Sequence, residues 1–364
     1  MLEAIEGKLD RGQRLDRRDA LYLLTEAELP ALGRLAADVR RRLHPGDRVT
    51  YVVDRNVNYT NICLSRCRFC AFYRESGAAG AYLLSHDQIL AKVAELDACG
   101  GTQLLLQGGL HPELELTWFE DLFRTIRRDF PGIRIHALSP AEIDHLSALA
   151  GLDLEDCLRR LQAAGLGSLP GGGAEVLVDA VRRRVSPAKI GWRRWAEVMA
   201  TAHRLGLRGT ATLVFGLGET PADIVTHLLR VRALQAATGG FTAFIPWSFQ
   251  PGHTELGGAE ATGVDYLRVL ATARLVLDNV PHLQASWVTQ GPHLAQVALL
   301  FGADDLGGTM LEENVVAAAG TRFRLPVEQL LRLIREAGFR PVQRDTDYGE
   351  AKGWKAVRRL KTEG

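Results

Sequence analysis

Eight short apolar runs of strand character recur along this 364-residue chain, each separated from the next by a stretch with helical spacing of its apolar residues. The runs are Val49–Val53, Thr102–Leu106, Ile133–Ala137, Gly167–Leu169, Thr210–Phe215, Phe241–Pro246, Gln284–Val288 and Asp305–Leu306. Between them lie clear helix starts. Ser85-His86-Asp87-Gln88 is a capping box opening a helix to about Ala98, and Thr220-Pro221 supplies an N-cap followed by proline at the first helical position. Further helices are predicted over Leu116–Asp129, from Pro140, from Asp153, and over Trp192–Leu205, Val264–Asp278 and Leu294–Leu300. Eight such units over about 260 residues predict an α/β fold, a (β/α)8 TIM-type barrel of parallel strands. A partial barrel is the alternative, since the fourth and eighth runs are the weakest by pattern. The expected division is an N-terminal helical extension over 1–48, the barrel over 49–321, and a C-terminal extension over 322–364. That extension carries a helix from Pro326 to Ala337 and a basic tail, and is expected to pack on the barrel.

The polar and glycine-rich segments follow the strand ends, the face on which barrel enzymes gather ligands. With 44 Lys and Arg against 43 Asp and Glu, no global field draws the chain to nucleic acid or to an anionic membrane. No run approaches the ~18 apolar residues of a membrane span, and Met1–Asp16 is interspersed with charges where a secretory signal needs an apolar region. A cytoplasmic location and a small-molecule partner are expected.

Five cysteines divide unevenly. Cys63, Cys67 and Cys70 form a C-x3-C-x2-C cluster on the loop after the first strand, whereas Cys99 and Cys157 stand alone in helix-like surroundings and read as core thiols. An odd count without a signal sequence argues against a disulfide framework. Three thiolates this close can meet at one metal centre, and soft sulfur selects zinc, copper(I) or an iron-sulfur cluster. A structural zinc site is normally closed by a fourth ligand, and the nearest downstream histidine, His86, belongs to a helix cap. A four-iron cluster held by three cysteines leaves one iron open for reaction. Both readings stand on spacing alone, with uncoordinated thiols as a third, and the alternative of another class is a non-enzymatic module that binds zinc or passes an iron-sulfur cluster to a client.

The motif C-x3-C-x-aromatic-C, with Phe69 before its last cysteine and Phe72 just after, strongly resembles that of the radical S-adenosylmethionine (SAM) superfamily. Gly108 and Gly109 are similar to the glycine pair whose backbone holds the methionine amino group. Thr212 to Glu219 is similar to the motif that supports the adenine, through Thr212, Val214, Gly216 and Glu219, although Thr212 replaces its first glycine. Glu175 resembles a polar ligand contact after the fourth strand. More widely, Asn58-Tyr59-Thr60-Asn61, Cys70-Ala71-Phe72-Tyr73, Gln107 to Pro112, Pro170 to Glu175 and Gly307-Gly308-Thr309 resemble the menaquinone futalosine-pathway enzymes and the deazaflavin-cofactor synthases. Ile245 to Pro251, with Thr254, is most similar to the cyclising branch of that group.

The resemblance implies a 4Fe-4S cluster on Cys63, Cys67 and Cys70, SAM as the source of a 5′-deoxyadenosyl radical, and a one-electron donor such as flavodoxin or ferredoxin. It also implies dehypoxanthine futalosine as substrate, with hydrogen abstraction at ribosyl C4′ followed by addition to the benzoate ring. The same radical machinery acting across two substrates is the alternative. For the substrate, Trp247 and Phe249 are candidates to orient the ring, and Gln250, Thr254, Gln290 and Thr309 to bind the ribose. A proton acceptor must be within hydrogen-bond reach of the ring. His111, Glu219, Asp304 and Glu312 are eligible, and no arginine stands out for the substrate carboxylate.

Overall fold

Runs of two to eight residues, most of them separated by helices long enough to cross back over a sheet, give this chain parallel pairing at every contact between its named strands. The computed structural model describes residues 1–321 and 323–351. Its strands are β1 (Arg48–Val52), β2 (Asp54–Val57), β3 (Gln103–Leu106), β4 (Arg134–Ala137), β5 (Leu166–Leu169), β6 (Arg208–Phe215), β7 (Phe241–Ser248), β8 (His282–Leu283), β9 (Asp305–Gly308) and β10 (Arg340–Gln343). Strands β2 to β8 form one seven-stranded sheet in chain order, and β10, β1 and β9 form a three-stranded one.

The two sheets are one curl. Only Val53 separates β1 from β2, β9 pairs with β1, and a parallel bridge joins Gln284 beyond β8 to Asp305 at the start of β9. The fold is therefore α/β with the strands of a TIM-type half-barrel, its two edges linked through β9 and β1. Helices cover the outside. In helix Leu116–Asp129 the residues Leu116, Phe119, Leu122, Phe123 and Ile126 recur at helical spacing and are buried in the hydrophobic core. Each large side chain so buried contributes about 1.5–3 kcal/mol. The Ser85 and Thr220 capping boxes form as their sequences predict.

The chain before the curl makes three helices, Leu2–Asp10, Arg17–Thr25 and Leu29–Leu43. They bury Ile5, Leu23, Leu32 and Leu35 against Ala271 and Leu275 of helix Gly263–Val276.

Besides β2, which lies past the expected end of the first strand at Val53, two elements depart from expectation. The run Gln284–Val288 is not a strand: β8 ends at Leu283, and Trp287–Gln290 is a helical turn. There the Ser286 N–H is satisfied by the Tyr266 hydroxyl and the Trp287 indole donates to the Gly308 carbonyl, so tertiary partners replace the ladder. The second departure is β10, which no pattern announced. It pairs with Arg48–Tyr51 of β1, and Pro341 is tolerated because β10 is the edge of its sheet. The expected basic tail lies mostly outside the described residues.

Candidate active site

Strand β2 shows how the sequence furnishes the inside of the curl. Side chains alternate along a strand, so Val53 and Val57 are buried in the hydrophobic core while Asp54, Asn56 and Asn58 line a cavity of about 350 Å³ within the curl. The cavity wall runs from the loop after β2, with its three clustered cysteines, to Arg344 and Tyr348 beyond β10.

That loop is pinned at several points. The Cys63 N–H donates to Arg74 and the Arg74 N–H to Asn61. Leu64 donates to Leu110, and the Leu110 N–H donates to Cys63 Sγ over 3.3 Å. Gly109 packs so closely on Ile62 that a Cβ there would overlap its carbonyl, and a Cβ on Gly108 would lie 2.7 Å from the Tyr59 ring. These glycines have negative φ, so close approach, not backbone conformation, requires them.

Cys63, Cys67 and Cys70 all face the cavity. Their sulfurs do not all lie within 4.8 Å of one another. A tetrahedral zinc ion with Zn–S bonds of about 2.3 Å would draw its sulfurs to roughly 3.8 Å. Three separated sulfur donors fit a larger polynuclear centre better. Cys99 caps a helix and Cys157 is buried in the core, so neither completes the set. Burial pushes the Cys67 thiol up to about 12 and raises Cys70 as well, against the pull of the Lys189 ammonium. Thiolates here need a compensating cation, which a metal centre supplies.

Lys189 is largely buried beside this loop, 5.6 Å from the centre of the Phe69 ring. It bonds Glu175 at 2.8 Å, and Glu175 also accepts from Arg182 at 3.2 Å. Burial alone would raise the Glu175 carboxyl, but Lys189 and Arg182 hold it below its ordinary value. Glu175 sits at φ 41°, a left-handed conformation anchored by this ion-paired network.

The structure gathers Phe69, Phe72, Gly108, Gly109, Glu175, Thr212, Val214 and Trp247 into the cavity wall with the three cysteines. The remaining predicted residues lie outside it and have other work. Gly216, at φ 91°, and Leu217 donate their N–H groups to Glu219, which closes the turn after β6. Phe249 is buried, Gln250 bonds Ser248 and Thr321, Thr254 bonds Pro251, and Gln290 bonds Ser248. Thr309 Oγ1 bonds the backbone N–H and carbonyl of Asp54.

The four expected proton acceptors are likewise outside the cavity wall. His111 caps the N–H of Glu113 beside a separate, much smaller cavity, and Glu312 is engaged by Lys92 and Arg55. Asp304 is buried with Arg274 and His282, both at 2.5 Å. Burial would raise its carboxyl, but the His282 hydrogen bond and the Arg274 charge hold it down to about 2. His44, His282 and Asp304 together could converge on a cation, yet Asp304 is already neutralised by Arg274.

Pattern reading missed six charged or imidazole groups in the wall: Asp54, His136, Glu142, Lys189, Glu313 and Arg344. Asp54 had a signal, since Asp54, Asn56 and Asn58 place polar groups at every second position of a segment whose other face carries Val53 and Val57, with Arg55 between them. Arg344 is buried, with Nε to Asp305 and Nη1 to the Asp345 carbonyl, and its Nη2 has no partner among the described residues. Lys189 and Arg344 are the two basic side chains in the cavity wall, one beside the cysteines and one beyond β10.

Comparison with known proteins places this geometry. The Radical SAM superfamily model matches residues 57–231, and the model of the CofH/MqnC C-terminal region matches 238–357. A cyclic dehypoxanthine futalosine synthase of Halalkalibacterium halodurans is 45% identical, over 95% of this chain and 94% of that one. An aminodeoxyfutalosine synthase of Thermus thermophilus is 42% identical, over 97% and 96%. The FeFe-hydrogenase maturase HydG of Carboxydothermus hydrogenoformans superposes with a TM-score of 0.75 at 18% identity, covering 95% of this chain and 80% of that chain. That last likeness concerns the fold.

Proposed function

This chain belongs to the radical SAM superfamily, and we propose that it is the enzyme that cyclises dehypoxanthine futalosine by joining ribosyl C4′ to the benzoate ring of the same molecule. The observation that carries the reading is the convergence of Cys63, Cys67 and Cys70 on the cavity that Trp247 also lines, in a chain 45% identical to a cyclic dehypoxanthine futalosine synthase along nearly its whole length. A 4Fe-4S cluster on the three cysteines would supply the electron that cleaves SAM to a 5′-deoxyadenosyl radical, drawn in turn from a donor such as flavodoxin or ferredoxin.

The chain's own residues bind, orient and exclude. Gly108 and Gly109 bring bare backbone to the cavity for the methionine amino group, and Lys189, fixed by Glu175, offers N–H donors to the methionine carboxylate. Thr212 and Val214 form the wall for the adenine. At the other end Arg344 is held by Asp305 with Nη2 turned to no described partner, the donor suited to the benzoate carboxylate. Trp247 supplies a flat surface for the ring. A radical of this kind takes hydrogen from any carbon near it, so one fixed substrate pose within a walled cavity decides the product.

The test is anaerobic reconstitution followed by incubation with SAM, a reductant and dehypoxanthine futalosine as sole substrate. The cyclase gives a product lighter than substrate by two hydrogens together with 5′-deoxyadenosine. Turnover only when two separate substrates are supplied would instead establish the synthase chemistry of the Thermus relative.

A further inference from the structure

We propose that Asp54 is the catalytic residue that takes the ring proton when the new ring becomes aromatic. The inference rests on the cyclase reading and deepens it. After hydrogen leaves C4′, the carbon radical adds to a ring carbon that bears hydrogen: one carbon-carbon bond forms, and the unpaired electron spreads over a ring no longer aromatic. Aromaticity returns when one electron passes to a one-electron acceptor, such as an oxidised iron-sulfur centre, and the carbon-hydrogen bond at the addition site gives up its proton. The substrate has then lost two hydrogens, one as an atom and one as proton plus electron. The proton needs a base inside the cavity.

Five carboxyl or imidazole side chains line it: Asp54, His136, Glu142, Glu175 and Glu313. Four are committed. Glu142 accepts from the Tyr59 hydroxyl and from the backbone N–H of Gly108 and of Ser139. Glu175 is paired with Arg182 and Lys189. Both oxygens of Glu313 cap backbone N–H groups between Val315 and Ala317. His136 Nδ1 bonds Ser168 at 2.6 Å, and burial pushes its imidazole down to about 3, a poor base. Asp54 is different. Its Oδ1 accepts the Met310 N–H at 2.9 Å, while Oδ2 has only a 3.5 Å contact with Gln103 Nε2. One carboxylate oxygen therefore stands ready at the cavity wall.

Its surroundings hold it there. Thr309 Oγ1 bonds both the N–H and the carbonyl of Asp54, and bare Gly308 leaves room for the carboxylate. The charged groups acting on it are Arg344 beyond β10 and Asp305 of β9, which face each other as an ion pair. Burial raises the Asp54 carboxyl to about 6, where it is ionised at neutral pH yet basic enough to hold a proton. A benzoate carboxylate on Arg344 would bring the ring toward this strand.

The experiment uses anaerobic holoenzyme and measures cyclised product and 5′-deoxyadenosine together. In Asp54→Asn, 5′-deoxyadenosine continues to form, deuterium from C4′-labelled substrate still enters it, and cyclised product falls ~100-fold. With ring-deuterated substrate the residual cyclisation shows an isotope effect that the wild type lacks, because proton loss has become slow. If Asp54→Asn does not fold, the wild type decides: product per 5′-deoxyadenosine falls as pH drops through about 6. Cyclisation by Asp54→Asn at the wild-type rate, parallel loss of both products, or a wild-type ratio flat across that range each overturns the proposal. A wild type that makes no cyclised product from dehypoxanthine futalosine refutes the cyclase reading itself.

Discussion

Gly308 leaves the space that the Asp54 carboxylate fills: a Cβ on Gly308 would overlap both oxygens of Asp54 and its Cγ. Gly308 has no positive φ, so the glycine is there for contact alone. The adjacent Thr309 ties Asp54 by its backbone and Met310 by its carboxylate, so three consecutive residues fix one acid.

Substituting Gly308→Ala therefore displaces the Asp54 carboxylate, whose atoms are the nearest to the added methyl. The expected outcome is a stability loss of about 1–3 kcal/mol from overpacking, measured by denaturant unfolding, with cyclised product falling relative to 5′-deoxyadenosine. Unchanged product ratio in a folded variant would show that the carboxylate need not stand where it does.

Alanine at Cys63, Cys67 or Cys70 removes one of three sulfur donors from a set without spares. Each variant should lose the broad absorption near 400 nm and the bound iron, as well as 5′-deoxyadenosine formation, while its far-ultraviolet circular dichroism stays that of the wild type. Full iron content in any one of them would mean that a different residue completes the site.

Lys189→Met takes a buried ammonium from between Glu175 and the cysteines. Breaking a buried ion pair costs about 3–5 kcal/mol when a charge is left alone. Here Arg182 remains on Glu175, so a loss below that range is expected. SAM affinity, measured by equilibrium binding, should weaken about tenfold or more, the value of a charge-assisted hydrogen bond.

Asp304 gives the fold an acid limit. Its carboxyl is held at about 2 against an ordinary 3.8, so its contribution of about 2 kcal/mol is complete above pH ~4 and is lost as pH falls toward 2. Asp304→Asn leaves the buried Arg274 without its counter-ion, so it lowers stability at neutral pH and flattens the acid dependence between pH ~4 and ~2. Unfolding midpoints across that range, compared with the wild type, check both.

The pattern that revealed a TIM-type curl was local and repetitive. Runs such as Thr210–Phe215 and caps such as Thr220-Pro221 carry their conformation in neighbouring residues, and the structure has strands and helices where they stand. Gln284–Val288 misled because its apolar spacing suits a strand, whereas the hydrogen bonds that turn it come from Tyr266 and Gly308. Strand β10 gave no sign because its stability is an edge of β1, nearly three hundred residues away in the chain.

The sequence by itself determined that three sulfur donors share one loop, since C-x3-C-x2-C confines them there, and it determined the polar face of β2 through simple alternation. Only the tertiary structure decided which acid and which cations share that cavity. Glu219, Asp304 and Glu312 carry the right functional group but spend it on turns and ion pairs, while Asp54 keeps an oxygen with only a distant contact. Lys189 and Arg344 reach the wall from segments more than 150 residues apart in the chain. A residue type states what a side chain can do, and the partners that saturate it are set by packing between segments distant in the chain.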